Sequence, residues 1–114
     1  HATNKANLKI AKAEQEIAAL AFQQKLLEAG NEVNNALVGL QTARERQAIN
    51  ARSVLSLQEA VRKTELLMQH SSVNYLEVLT AQQSLLEVRQ SLAQDKFDEI
   101  QSLIHLYHAL GGGK

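Results

Sequence analysis

Few side chains in this sequence could do chemistry, and they fall in three places. His105 and His108 stand three residues apart, which on a helix puts both imidazoles on one face and offers a metal two nitrogen ligands. The chain has no cysteine, and only Asp98 and Glu99, two turns back, stand near enough to add to the pair. These histidines therefore read as ordinary surface or packed side chains, with no metal site. The terminal Gly111-Gly112-Gly113-Lys114 has the glycines and lysine of a phosphate loop, but lacks its upstream glycine spacing, its following Ser or Thr and its strand-to-helix setting. The third place is Asn74 with Glu77 three residues later, a spacing that lets Asn74 cap a helix start while Glu77 reaches back to the Asn74 amide. Its negative charge also suits the positive end of a helix. Nowhere do a nucleophile, a base and an orienting acid converge, so neither an enzyme nor a cofactor is expected. Phe97 and Tyr107 lie on an apolar stripe and are expected in a core rather than a ligand cage.

The elements that carry these residues follow from composition. Of 114 residues, 45% are hydrophobic and only 4% aromatic, with no proline, no cysteine and five glycines. Such a chain has almost no helix breaker and no staple, and its abundant Ala, Leu, Gln, Glu, Lys and Arg favour long helices. Twelve basic side chains balance twelve acidic ones, which removes the electrostatic footprint of a nucleic-acid binder or a polybasic membrane anchor. No apolar run reaches the roughly 18 to 20 residues a membrane-spanning helix requires, and no signal segment is present. The piece is expected to be soluble. Absence of cysteine permits an oxidising compartment without demonstrating one. The opening His1-Ala2-Thr3, in place of Met, predicts a part of something longer; residues 1–4 read as an N-terminal tail, with His1 a candidate for tag or vector origin.

From residue 5 to residue 70 nothing forbids a helix. Its apolar or small positions include Ile10, Ile17, Leu20, Leu27, Val33, Leu37, Leu40, Ala51, Val54, Val61 and Met68. Gln24, Gln47, Gln58 and Thr64 fall on or beside that stripe, which predicts a packed but partly wet seam. Lys12 with Glu16, and Glu59 with Lys63, are spaced to pair on exposed faces. The second run, 75–109, carries two adjacent stripes. One holds Leu79, Leu86, Ala93, Phe97, Ile100, Ile104 and Tyr107, the other Val78, Leu85, Leu92, Leu103, Leu106 and Leu110. Two stripes require two neighbours. Residues 110–114 read as a glycine stop followed by a loose tail.

Length then becomes an argument. At about 1.5 Å per residue the first helix extends on the order of 100 Å and the second about 50 Å. Folding back at residues 71–74 thus leaves residues 5 to about 35 without a partner in this chain. Either the first helix breaks at Ala29-Gly30-Asn31 to give a three-helix bundle, or its bare half packs on other chains or absent sequence. Gly30 as a C-cap and Asn31 as an N-cap make the break plausible, yet one interior glycine costs only about 1 kcal/mol. Ser71, Ser72 and Asn74 compete with helical hydrogen bonding through their side chains and mark the turn between the two runs.

The segment NYLEVLTAQQSLLEVRQSLAQDKFDEIQSLIHLYHALGGG resembles the C-terminal part of the TolC family of outer-membrane efflux proteins. There a YLEVLDAQRSLL-type stretch follows a turn, and an LYxALGGG stretch ends the helical region. KANLKIAKAEQEIAALAFQQKLLEAGNEVNNAL is similar to that family's preceding long helix. The resemblance covers residues 5 to 113. It implies an all-α fold, a long antiparallel helical hairpin, coiled-coil-like and with unequal arms, that is a fragment of a trimeric α-helical tunnel in the periplasm below an outer-membrane β-barrel. On this resemblance 5–70 is a long helix of the tunnel, 71–74 its periplasmic tip turn and 75–109 the returning helix or helices.

The resemblance also implies partners and site residues: a homotrimer, a periplasmic adaptor protein, an inner-membrane transporter, and the outer membrane through barrel strands outside this sequence; no nucleic acid. Glu77 corresponds to an acid that faces the tunnel near its closed end, where three copies form a ring of like charges suited to a gate. Thr80 stands where some relatives carry a second acid, Ser71 replaces the usual tip glycine, and Val73 replaces a basic residue of some relatives. These departures put the second charged ring and one adaptor contact in doubt. The expected gate is therefore Glu77 with Thr80, and the expected adaptor contact His70, Ser71, Ser72, Val73 and Asn74. The expected function is export of small molecules such as drugs, and the rival is a soluble three-helix bundle or coiled-coil interaction scaffold.

Overall fold

In a computed structural model, which describes residues 1–113, the chain is two helices and the turns that end them. Helix α1 runs Ala2–Gln69 and α2 runs Tyr75–Ala109, packed antiparallel as a hairpin 102 × 22 × 18 Å. The all-α hairpin with unequal arms is what the sequence led one to expect. α1 passes through Gly30 without a break, so the three-helix alternative is not what forms. The single missing side chain at Gly30 lowers local helix preference, but 68 residues of otherwise good helix formers carry the turn through it. Residues 2–4, expected as a tail, are already helical. Nothing in Ala2-Thr3-Asn4 stops a helix, and the Lys5 amide donates to the His1 carbonyl at 3.1 Å.

The two helices meet along a heptad seam. On α1 the seam follows Val33, Ala36, Leu40, Ala43, Gln47, Asn50, Val54, Leu57, Val61 and Thr64, with Gly39, Thr42, Ser53 and Ala60 half-buried beside it; on α2 it recurs in the same alternation of three and four from Val78 to Ala109, with Ser84 and Asp98 half-buried beside it. That alternation, close to 3.5 residues per repeat, keeps one stripe of each helix facing the other over its whole length. The seam is narrow. Among the described apolar side chains only Ala36, Leu40, Ala43, Val78 and Leu85 are buried, at 3 to 8% exposure. Of the apolar positions expected on α1, Leu37 and Ala51 stand one residue off the seam, fitting a 3.6-residue periodicity from which a heptad seam drifts; Met68 keeps the seam's spacing but is 36% exposed, and Ile10, Ile17, Leu20 and Leu27 lie on the uncovered arm.

Large apolar residues crowd the rest of the surface. Residues 1–32 of α1 are exposed throughout, including Ile17, Leu20, Phe22 and Leu27, each near two-thirds exposed. Phe97 and Tyr107, expected in a core, are 58% and 59% exposed. The seam next to them takes Asp95, Glu99 and Ser102 instead, which leaves the rings on the adjoining face of α2. Exposed pairs also differ from the expected ones. Glu59 is held by the Arg62 guanidinium rather than by Lys63, with Arg62 Nε donating to Oε2 at 2.9 Å. That hydrogen bond holds the Glu59 carboxyl below its ordinary range and Arg62 above its own. Lys12 and Glu16 form no ion pair among the described residues.

Both helices end on left-handed turns. At the far end of α2, Gly111 has φ +89°, the Gly112 amide donates to the Tyr107 carbonyl at 2.8 Å and the Gly111 amide to that of His108 at 3.0 Å. This pair of bonds is the Schellman motif. Residues 110–113, expected as a loose tail, are thus a closed cap, while Lys114 lies outside the described residues.

Candidate functional site at the hairpin tip

The reversal between the helices uses the same device with a less suitable residue. The Ser72 amide donates to the Leu67 carbonyl at 2.8 Å and the Ser71 amide to that of Met68 at 3.0 Å, while Ser71 takes φ 59°. An L-residue there suffers the close approach of its Cβ to the carbonyl that glycine avoids. Ser71→Gly is therefore expected to stabilise the hairpin by about 1 kcal/mol, less whatever the added freedom of the unfolded chain takes back. α2 then starts on Asn74, whose extended backbone (φ −92°, ψ 168°) lets Oδ1 accept from the Glu77 amide at 3.0 Å. Val73 before the cap is half-buried and Val78 five residues on is 3% exposed, the two positions of a hydrophobic staple. Asn74→Ala is expected to cost about 1 kcal/mol. Urea denaturation followed by far-UV circular dichroism checks both substitutions.

Only half of the expected reciprocal cap forms. Among the described residues the Glu77 carboxylate accepts no hydrogen bond, so it does not reach back to Asn74. The amide it would have served is left to water at an exposed tip, and the carboxylate projects free into solvent at the positive end of α2. Thr80, one turn on, is exposed and donates its hydroxyl to the Leu76 carbonyl at 2.9 Å. Structure thus brings Glu77 and Thr80 onto neighbouring turns of one face, and His70, Ser71, Ser72, Val73 and Asn74 into one turn. Around that turn Leu66, Leu67, Tyr75, Leu76 and Leu79 are 41 to 68% exposed. Gln82 bridges the arms below it, donating to Glu65 at 3.2 Å.

Glu77 also heads a stripe that reading by motif missed. Residues 77, 80, 84, 87, 91, 94, 98, 101, 105 and 108 follow the seam's spacing on its far edge, and all are polar: Glu, Thr, Ser, Glu, Ser, Gln, Asp, Gln, His and His. No lysine, arginine or apolar residue interrupts it. Gln94 donates to Asp98 along it at 2.9 Å. The signal was present in the seven-residue recurrence of polar types, but only the position of the seam shows which recurrence matters. The opposite edge of the seam reads Leu79, Gln82, Leu86, Arg89, Ala93, Lys96, Ile100, Leu103 and Tyr107, and its Leu79, Leu86, Ile100 and Tyr107 are 41 to 59% exposed. α2 therefore has one face against α1, one wet face and one bare, mostly apolar face. His105 and His108 end the wet stripe in an open cleft shared with Glu32, Asn35 and Ser102. Among the described residues no three His, Cys, Asp or Glu side chains converge as a metal site would require. No helix among them is long and apolar enough to cross a membrane.

The hairpin leaves half of one arm and one face of the other with exposed apolar side chains that nothing among the described residues covers. Comparison with known proteins gives the chain its family. Residues 1–112 match the family described as outer membrane efflux protein, and the chain belongs to it. It is 38% identical over 110 residues to the cation efflux system protein CusC of Escherichia coli strain K12, and 31% identical over 110 residues to the probable outer membrane lipoprotein SilC of Salmonella typhimurium. It is 28% identical over 109 residues to the solvent efflux pump outer membrane protein SrpC of Pseudomonas putida. Each alignment covers 96% of this chain and 23 to 24% of the relative, so the chain spans about a quarter of their length. No solved structure gives a significant match.

Proposed function

We propose that this chain forms part of the periplasmic tunnel wall of a trimeric outer-membrane efflux channel, with the turn at residues 70–74 as its lower tip. The observation that carries the reading is the division of α2 into a wet stripe and a bare apolar stripe on opposite edges of one seam. A tunnel wall needs both: the wet stripe toward the lumen and the apolar one against a neighbouring helix. The bare arm of α1, residues 1–32, is then covered by helices outside this sequence and anchors the hairpin toward a barrel in the outer membrane. In this reading the protein carries out no chemical step.

Glu77, unpaired at the tip end of the wet stripe, is the proposed gate residue, with Thr80 above it. Three carboxylates brought together by threefold symmetry repel one another and hold cations, so widening the aperture requires the α2 tips to move apart. His70, Ser71, Ser72, Val73 and Asn74, ringed by exposed Leu67 and Leu76, are the proposed contact for a periplasmic adaptor that couples the channel to an inner-membrane transporter. Relatives are named for cations, solvent and toluene. A wide polar tunnel suits such a range, with cargo choice, drugs and other small molecules included, resting with the transporter. Thiol accessibility along α2 in the full-length protein tests the reading: the wet stripe must be open to water and the apolar stripe closed.

A further inference from the structure

The seam is not uniform along its length. With Gln82–Glu65 and Asn50–Asp95 fixing the register, its tip side sets Val54, Leu57 and Val61 of α1 against Leu85, Val88 and Leu92 of α2. Its other side is built mainly from small groups. Ala36 and Ala43 lie against the segment from Ser102 to Ala109, with buried Leu40 and half-buried Leu106 the large apolar side chains among them, and a Cβ added at Gly39 would stand 2.9 Å from Ser102 Oγ. Between the two sides sit consecutive polar layers. Asn50 Nδ2 donates to the Asp95 carboxylate at 2.5 Å, and Gln47 Nε2 donates to Glu99 at 2.9 Å, with Arg44 against the same carboxylate at 3.4 Å. Asp95 is 5% exposed, the one buried polar or charged residue among those described.

A buried carboxylate bonded to a neutral amide recovers little of what its lost hydration costs, and apolar pairs in place of such groups are often more stable. Beyond these layers the seam holds fewer large apolar side chains, Val33, Leu40 and Leu106, than the tip side, which is closed by apolar pairs and a capped turn. Once detached, residues 99–109 keep only their own helical hydrogen bonds, which without packing are marginal in water. We infer that the Asn50–Asp95 and Gln47–Glu99 layers are a built-in hinge of the seam, at which the base of α2 detaches from α1 as one unit while the tip half stays closed. This property is read from the hairpin's own seam. It gives the two ends of α2 separate mobility, so the base can be displaced without disturbing the tip.

Native-state amide exchange on the chain tests it. Amides of residues 99–109 are expected to share one opening transition and to exchange at least about tenfold faster than those of residues 80–92. Asn50→Leu/Asp95→Leu, which fills the layer with apolar side chains, is expected to slow exchange of 99–109 by about tenfold and leave 80–92 little changed. Asp95→Asn, which removes the charge and preserves the shape, shifts 99–109 in the same direction by less. A smooth decline in protection from Leu92 to Ala109 would mean simple fraying and overturn the hinge. So would equal protection of the two segments, or an unchanged difference in both variants. Leu57→Ala serves as the control, lowering protection of 80–92 while the step at the polar layers persists.

Discussion

Leu85→Ala is expected to lower the unfolding free energy of the hairpin by about 2–3 kcal/mol, whereas Leu86→Ala, one residue on, changes it by less than about 0.5 kcal/mol. The two residues are chemically identical neighbours on one helix, 8% and 56% exposed. Leu85 stands in the seam between Val88 and Ala81, and truncating it removes apolar burial that the long α1 backbone cannot collapse to replace. Leu86 stands on the bare stripe and loses contact mainly with water. Urea unfolding of the chain separates them, since equal costs would mean that α2 packs on α1 by another face. In the assembled channel the order changes. In the proposed tunnel wall Leu86 would lie against a neighbouring helix, so Leu86→Ala is expected to weaken assembly while leaving the hairpin itself intact.

Glu77→Gln in the full-length channel is expected to weaken block by multivalent cations by about tenfold to a hundredfold, and Glu77→Lys to abolish it. In the proposed trimer each of three carboxylates would contribute about 1 kcal/mol to a cation a few Å away even at the dielectric of water. Loss of the charge should barely alter hairpin stability, because the cap at α2 is made by the Asn74 side chain and the Glu77 carboxylate accepts no hydrogen bond. That separation makes the test clean. Single-channel recording across planar bilayers measures the block, and urea unfolding measures the fold. Unchanged block with reduced stability would return Glu77 to a purely structural role at the helix start.

Much of this architecture was legible in the residues. Absence of proline, the small polar turn at residues 71–74 and the lengths of the two runs were enough for a hairpin with a bare arm, because helix formation here depends on local preference summed over many residues. Gly30 was not decidable from pattern, since one glycine in a long helix is a small penalty whose outcome depends on everything around it. Phe97 and Tyr107 misled for a different reason. Large rings suggest a core, yet the contact between the helices is held by aliphatic side chains such as Leu40, Val78 and Leu85, by Ala36 and Ala43 and by polar layers, and both rings face outward. A helix destined for several neighbours carries several stripes, and only one can be satisfied within this chain. The candidate site divided similarly. Asn74 as a cap follows from its own chemistry, whereas any role of Glu77 in an aperture depends on symmetry-related copies that a single chain does not contain.

Cysteine accessibility along α2, introduced one residue at a time into the full-length protein in a cysteine-free background, tests the tunnel-wall reading most directly. The account predicts rapid labelling by a membrane-impermeant thiol reagent at Thr80, Ser84, Ser91, Gln94 and Gln101, and protection at Leu79, Leu86 and Ile100 in the assembled channel. Labelling of the apolar stripe with protection of the polar one, or equal labelling of both, would contradict it.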